Sequence, residues 1–168
     1  MTIVVITAII LFVTMELPKE LKQTKPLSSL EEAAYLWLMT TTEKLKAETA
    51  EVFKQKDLTA SQYNVLRILR GAGAEGMCGR EIGDRMITKD SDITRMLDRL
   101  ESRGLIRRER QTDDRRFVLA FISDQGLATL AELDKPIVEW HKRRLGHLSE
   151  SELKKMIGLL KKTGLGES

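Results

Sequence analysis

Apolar residues recur at the spacing of an amphipathic helix between positions 90 and 103 of the chain. Counted from Ile93, they fall at i, i+3, i+4 and i+7, which defines one narrow stripe made of Ile93, Met96, Leu97 and Leu100. At 100° per residue the opposite face is polar and charged, and carries Ser91, Arg95, Asp98, Arg99 and Ser102. A helix held by one stripe, with Ser and Arg side chains pointing away from it, is suited to lie in a major groove of DNA.

The residues after this helix predict a two-stranded hairpin with a charged tip. Gly104 is suited to end the helix as a C-cap. Leu105–Gln111 then leads into the tip Thr112–Arg115, and Arg116–Ile122 returns as a segment rich in β-branched and aromatic residues. An arginine-bearing tip of this kind is long enough to reach past the helix to the DNA backbone or to the neighbouring minor groove.

Helices are predicted on both sides of this central segment. Most begin with a capping box, in which Ser or Thr is followed three residues later by Glu or Gln. The predicted starts are Ser29, Thr59, Ser123 and Ser149, and Cys78 takes the place of Ser or Thr before a short helix over Glu81–Met86 that precedes a turn over 86–90. We expect a flexible glycine-rich connection over 71–76, a kink at Pro136 and a helix end at Gly146.

The first of these helices contains seven consecutive apolar residues, Ala33–Met39. A helix that is apolar on every side must be covered all round, and one small domain seldom supplies that cover. A partner subunit would do so. The helical ends of the chain are therefore predicted to be dimerisation elements that flank a DNA-reading centre.

Composition and charge narrow the class of protein. The 168 residues are enough for one domain with a substantial core, and the net charge of +3 is only a mild lean toward polyanions. Arginine is concentrated instead: residues 80–116 hold 10 of the 14 Arg but one of the 14 Lys. Because guanidinium groups grip phosphates and guanine edges bidentately, this usage favours DNA. The same window holds nine acidic residues, so affinity must come from how charge is placed.

The first 15 residues, MTIVVITAIILFVTM, are apolar but too short to span a bilayer as a helix. They lack the Lys or Arg of a signal-peptide start. Three interpretations stay open: Met15 is the true initiator, the segment packs on the body as a strand or helix, or it is a weak membrane-surface segment. We expect no stable membrane association.

The run DITRMLDRLESRGLIRRERQTDDRRFVLAFISDQG resembles the winged helix-turn-helix of the MarR (multiple antibiotic resistance regulator) family. The wing signature of that family, Asp-x-Arg followed by a strand and a Ser or Thr, appears here as Asp114-Arg115-Arg116 and the following residues to Ser123. The resemblance extends from about Glu31 to Thr163. It implies a mainly α-helical fold with a small β wing, in which dimerisation helices flank the winged helix-turn-helix.

Domain bounds follow from these observations. We expect an N-terminal apolar segment and arm over 1–28, a dimerisation helix over 29–57, the winged helix-turn-helix over 58–123, and C-terminal dimerisation helices over 124–168.

Site residues are assigned from the exposed helix face and from the family resemblance. The DNA-binding candidates are Ser91, Thr94, Arg95, Arg99, Arg115 and Arg116. Asp98 would repel phosphate if it were free, so it is expected to pair with a wing arginine, which by resemblance is Arg116. Asp114 is expected to orient Arg116 or to cap the turn. Family members bind small aromatic anions between their dimerisation and DNA-binding parts. Tyr35, Trp37 and Trp140 are therefore ligand candidates, although core packing explains them more simply.

Other chemistries find little support. His141 and His147 are six residues apart, and neither the i+3 nor the i+4 spacing of a helical metal site is available, so no metal is expected. A single cysteine, Cys78, excludes an internal disulfide and is expected to be structural, although a helix N-terminus lowers a thiol pKa. No catalytic cluster and no cofactor site is found, so an enzyme is not expected.

The sequence thus predicts a cytoplasmic homodimeric transcription regulator that acts as a repressor. It would bind a pseudo-palindromic double-stranded DNA operator and be released by a small aromatic or anionic ligand. The alternative is a protein-interaction module that keeps the winged scaffold and no longer reads DNA sequence.

Overall fold

The computed structural model describes residues 27–88, 92–110 and 118–164. The chain divides into two compact units, residues 1–48 and 49–168. The apolar segment and the arm predicted over 1–28 lie almost wholly outside the described residues, so their predictions stay open.

Helix α1, Leu30–Lys54, begins in the first unit. The Ser29 hydroxyl accepts a hydrogen bond from the Glu32 N–H at 3.1 Å, as the capping box predicts. The Glu32 carboxylate, however, accepts from the hydroxyl and the N–H of Ser28, at 2.6 and 2.7 Å, rather than from Ser29. These two bonds hold the pKa of Glu32 below its usual range. The apolar run on this helix leaves several large side chains exposed: Tyr35, Trp37, Leu38 and Met39.

The second unit contains the last turns of α1 and the rest of the described elements. They are α2 (Ala60–Ala72), β1 (Met77–Cys78), α3 (Gly79–Arg85), α4 (Ile93–Ser102), β2 (Ile106–Arg110), β3 (Val118–Ile122), α5 (Asp124–Leu145) and α6 (Glu150–Gly164). The fold is therefore mainly helical with a small antiparallel sheet, as predicted.

The sheet has three strands, in the order β1-β3-β2, so the expectation of a two-stranded hairpin was incomplete. The additional strand β1 pairs with β3 in the register Met77 to Ala120. It is approached through Gly76, whose φ is +66°. A Cβ at Gly76 would collide with the Phe121 ring, so the close approach of this backbone to β3 requires glycine.

Two further boundaries differ from the sequence prediction. Helix α3 begins at Gly79, two residues before the predicted Glu81, because Cys78 is its N-cap and donates its N–H to the Glu81 carboxylate at 2.9 Å. The glycine-rich stretch is more ordered than expected, since α2 extends through Ala72 and Gly73–Glu75 forms a single 3₁₀ turn. In α2, the capping box of Thr59 and Gln62 is complete, with bonds of 3.2 and 2.9 Å.

The core of the second unit joins α2, α3, α4 and α5. Its most deeply buried side chains are Val65, Leu66, Leu69, Ile82, Leu100, Leu130 and Leu133. The apolar stripe predicted for α4 is confirmed, because Met96, Leu97 and Leu100 are buried and Ile93 is half-buried. The stripe therefore determines which face of α4 remains outside.

Ser123 is the N-cap of helix α5, and its hydroxyl accepts a hydrogen bond from the Gly126 N–H at 3.0 Å. The helix continues through Pro136 to Leu145. It is tied to α2 by a two-pronged ion pair between Arg70 and Asp134, with nitrogen–oxygen distances of 2.9 to 3.1 Å. These bonds raise the pKa of Arg70 above its ordinary value.

In the part of the chain that the structure describes, no helix has the length and apolar character needed to cross a bilayer.

Candidate nucleic-acid interface

Helices α3 and α4 pack against each other, and α3 has glycine at two positions that face α4, where an added Cβ would make only ordinary van der Waals contact. A Cβ at Gly79 would lie 3.7 Å from both Ile93 and Leu97, and one at Gly83 would lie 3.6 Å from Ile93. Ile82 of α3 is fully buried beside this contact. The two helices form the pair of a helix-turn-helix, and the second packs on the core through its apolar stripe.

The outer face of α4 carries the predicted reading residues. Arg95 extends from it with 77% of its side chain exposed, and Thr94 and Arg99 are exposed as well. Asp92 is the N-cap: its carboxylate accepts the Arg95 N–H at 3.2 Å, and its second oxygen lies 3.2 Å from Arg95 Nε. Asp92 therefore stabilises the start of α4 and keeps the Arg95 guanidinium near the N-terminal end of the helix, where side chains of helix-turn-helix proteins contact bases.

Asp98 pairs with an arginine of the hairpin, as predicted in outline, but that arginine is Arg108 on β2. The Arg108 Nη2 lies 2.6 Å from Asp98 Oδ1, and its Nε donates to Glu101 Oε2 at 2.8 Å. The hydrogen bond to Glu101 and then that to Asp98 raise the pKa of Arg108 above its ordinary value, against the effect of burial. The expected pairing of Asp98 with Arg116 remains a prediction, because Arg116 lies outside the described residues.

Two other arginines of the window have structural contacts that the sequence did not reveal. Arg103 donates to the backbone carbonyls of Asp57 and Lys56 at 2.6 and 3.0 Å, and so braces the end of α4 against the α1–α2 connection. Arg107 lies over the Phe121 ring, with its guanidinium carbon 4.2 Å from the ring centroid. Arginine density alone therefore overstated the number of residues available to DNA.

Four of the predicted site residues lie outside the described residues: Ser91, Asp114, Arg115 and Arg116. Their roles at the start of the reading helix and at the wing tip stay predictions. The described strands β2 and β3 place the two ends of that tip side by side, since Arg110 pairs with Val118.

The ligand candidates differ in exposure. Tyr35 and Trp37 are exposed on α1, whereas Trp140 is buried in α5 and makes an edge contact with the His141 ring at 5.3 Å between centroids. Cys78 is half-buried at the N-cap of α3. Among residues 27–88, 92–110 and 118–164, no group of three His, Cys, Asp or Glu side chains is placed to hold a metal ion.

Comparison with known proteins gives one consistent picture. The model of the MarR family matches residues 58–118, from two residues before α2 to the first residue of β3. The HTH-type transcriptional repressor MdtR of Bacillus subtilis (strain 168) is 32% identical over 111 residues, which cover 66% of this chain and 70% of that protein.

Solved structures agree. A crystal structure of a MarR transcription factor from Planctomyces limnophilus is 43% identical, with a TM-score of 0.64, and the match covers 81% of this chain and 98% of the other. CouR from Rhodococcus jostii RHA1, solved with bound p-coumaroyl-CoA, has the same fold at 21% identity, with a TM-score of 0.69 over 84% of this chain and 99% of the other.

Proposed function

Because the chain belongs to the MarR family of transcription regulators, we propose that it binds a pseudo-palindromic DNA operator as a homodimer and represses transcription there. Members of this family are regulators rather than enzymes. The single observation that carries the proposal is the outer face of α4, where Thr94, Arg95 and Arg99 are exposed opposite a buried stripe. Hydroxyl and guanidinium groups on that face suit phosphate oxygens and base edges.

Homodimer formation is supported by apolar surface at both helical ends of the chain. On α6, Ile157, Leu159 and Leu160 are exposed, and on α1 so are Trp37 and Leu38. Large exposed apolar side chains on amphipathic helices indicate a protein partner. In a two-fold dimer the α4 helices would enter successive major grooves about one helical turn apart, roughly 34 Å.

Repression and ligand release are further parts of the proposal. The relative MdtR is named a repressor, which favours repression over activation for this chain. A small aromatic or anionic ligand would release DNA if it bound better to the dimer whose reading helices are wrongly spaced. Tyr35, Trp37 and Trp140 are the candidates to contact it. We also propose a cytoplasmic location, which suits a DNA target and a single cysteine, Cys78.

Selection of bound fragments from a random DNA pool tests the proposal. We expect an inverted repeat whose half-sites are centred about 10 base pairs apart. Fragments with no common sequence, bound weakly at moderate salt, would favour the alternative of a protein-interaction module on a winged scaffold.

A thermal-shift screen of the same protein with phenolic acids tests whether a ligand binds. We expect the ligand to raise the unfolding midpoint of the protein and to lower its affinity for the operator. A higher midpoint with unchanged operator affinity would argue against release.

The substitution Arg95→Ala is expected to cost about 1–3 kcal/mol of specific binding free energy and to leave the thermal unfolding midpoint unchanged, because the side chain is exposed. The sequence gives the same expectation for Arg116→Ala. Fluorescence anisotropy on the selected operator measures the loss. Arg143→Ala, at an exposed position in the last turn of α5, is the control with the same change of charge. Unchanged affinity in both the Arg95 and Arg116 variants would remove these residues from the interface.

A further inference from the structure

The Arg108 side chain of β2 points onto α4. Its guanidinium bridges two carboxylates one turn apart on that helix, those of Asp98 and Glu101. Only 25% of its side chain is exposed, compared with 52% for Asp98 and 37% for Glu101. Arg108 is therefore the most enclosed member of this cluster of three charges.

The turn between α4 and β2 determines this geometry. Gly104, with a φ of +70°, donates its N–H to the Glu101 carbonyl at 2.8 Å, and Leu105 donates to the Leu100 carbonyl at 3.0 Å. The chain thus reverses within two residues, as at a glycine-ended helix. Arg108, three residues after Leu105 and paired with Ala120 of β3, is consequently brought beside the last turns of α4.

The carboxylates that Arg108 covers stand close to the reading face. Asp98 is three residues after Arg95, so it lies one turn along the helix on the same side. With its N-cap, α4 presents two arginines, Arg95 and Arg99, beside three acidic residues, Asp92, Asp98 and Glu101. Without a further cation, this surface would be net negative and would repel the phosphates on both sides of a major groove.

We propose that Arg108 is a positioning residue for DNA recognition, which screens Asp98 and Glu101 from the DNA phosphates and fixes the hairpin on α4 without itself contacting DNA. This inference rests on the proposed function, and it assigns to Arg108 a role that depends on the two carboxylates. If the carboxylates are removed, the need for Arg108 disappears as well. A phosphate-contacting arginine would not behave in this way, and a residue that acts only through folding would lower the unfolding midpoint together with the affinity.

A double-mutant cycle tests this dependence. Operator affinity is measured for Arg108→Met, for the pair Asp98→Asn with Glu101→Gln, and for all three together. Methionine keeps the apolar stem of the side chain and removes the charge. We expect Arg108→Met alone to weaken binding about tenfold or more, and the triple variant to return to within about threefold of the wild type. Arg108→Lys, which keeps the charge but loses the two-pronged geometry, should lie between them.

The salt dependence of binding distinguishes screening from contact. Loss of one phosphate contact lowers the slope of log K against log salt by about 0.9. The triple variant should keep the wild-type slope if Arg108 only screens. Arg107→Met is the matched control on the same strand, and it should show no coupling to the Asp98 and Glu101 substitutions, because Arg107 pairs with Glu109 and stacks on Phe121.

Each outcome has one meaning. The screening role is overturned if the triple variant binds as weakly as Arg108→Met. It is also overturned if the slope of log K against log salt is reduced in both Arg108→Met and the triple variant. Full affinity in Arg108→Met overturns it as well. Circular dichroism and thermal unfolding identify a variant that has lost its fold, in which case Arg108→Lys and its combination with the two carboxylate substitutions carry the test. A wild-type protein that binds no selected operator refutes the proposed function instead.

Discussion

A chain carrying Ile157→Glu and Leu160→Glu together is expected to be monomeric and to bind its operator about 100-fold to 10,000-fold more weakly than the wild type. Both side chains belong to an apolar stripe on α6 formed by Leu153, Met156, Ile157 and Leu160. They are 50% and 43% exposed, and the helix has no buried residue in the single chain. A carboxylate at each position would leave two charges buried in the dimer interface. Because two linked half-site contacts give far more affinity than one, loss of the dimer carries a large loss of DNA binding.

Sedimentation and DNA titration together measure this effect. The control is the pair Lys155→Gln and Lys162→Gln, which changes the net charge by the same amount on the opposite, polar face of α6. It should remain dimeric. If the two-glutamate variant sediments as a dimer, the stripe on α6 is not the interface, and the assignment of the C-terminal helices to dimerisation is wrong.

The substitution Gly126→Ala is expected to lower the free energy of unfolding by about 3 kcal/mol or more. Gly126 lies in the first turn of α5, directly against the hairpin. An added Cβ would collide with the Leu105 carbonyl oxygen and lie 2.8 Å from Ile122 Cγ1. The obstacle is backbone, and the Ser123 N–H donates to that same carbonyl at 3.1 Å, so neither α5 nor β2 can move without breaking a bond.

Urea unfolding at one fixed protein concentration measures the loss, since the stability of a dimer depends on concentration. Gly71→Ala is the control, because a Cβ there meets no atom within 4 Å and the residue lies inside α2. It should be neutral or stabilise by up to about 1 kcal/mol. Equal stabilities of the two variants would mean that α5 and the hairpin are not packed as the structure has them.

The parts of the fold that sequence reasoning located are those determined by local pattern. The stripe from Ile93 to Leu100 identified both α4 and its buried face, because four apolar residues at helical spacing leave one way for the helix to pack. Capping boxes located helix starts for the same reason: the bonds of Thr59 with Gln62 join residues three apart. Strand β1 escaped detection because two residues, Met77 and Cys78, contain no period and pair with residues over 40 positions away.

The sequence predicted which residue types form the candidate site. It did not predict which arginines face DNA and which make structural contacts. Arg95 and Arg99 follow from the helical wheel alone. The structural roles of Arg103, Arg107 and Arg108 depend on partners brought near by the turn at Gly104 and by the strand register, which the order of residues does not reveal. One signal was available: Asp98 and Glu101, one turn apart on α4, required cations that the helix itself could not all supply.

The distance between the two α4 helices in the operator complex tests the central claim most directly. Ser102 is exposed at the end of α4, and Ser102→Cys in a Cys78→Ser background provides one attachment site for a nitroxide label. A serine hydroxyl in place of the thiol at residue 78 is a favoured N-cap for α3. Pulsed dipolar spectroscopy on the labelled protein bound to its selected operator should give one inter-subunit distance near one turn of DNA, roughly 34 Å, broadened by the label arms. No inter-subunit coupling, or a distance well short of one turn, would contradict a dimer that presents two reading helices to successive major grooves.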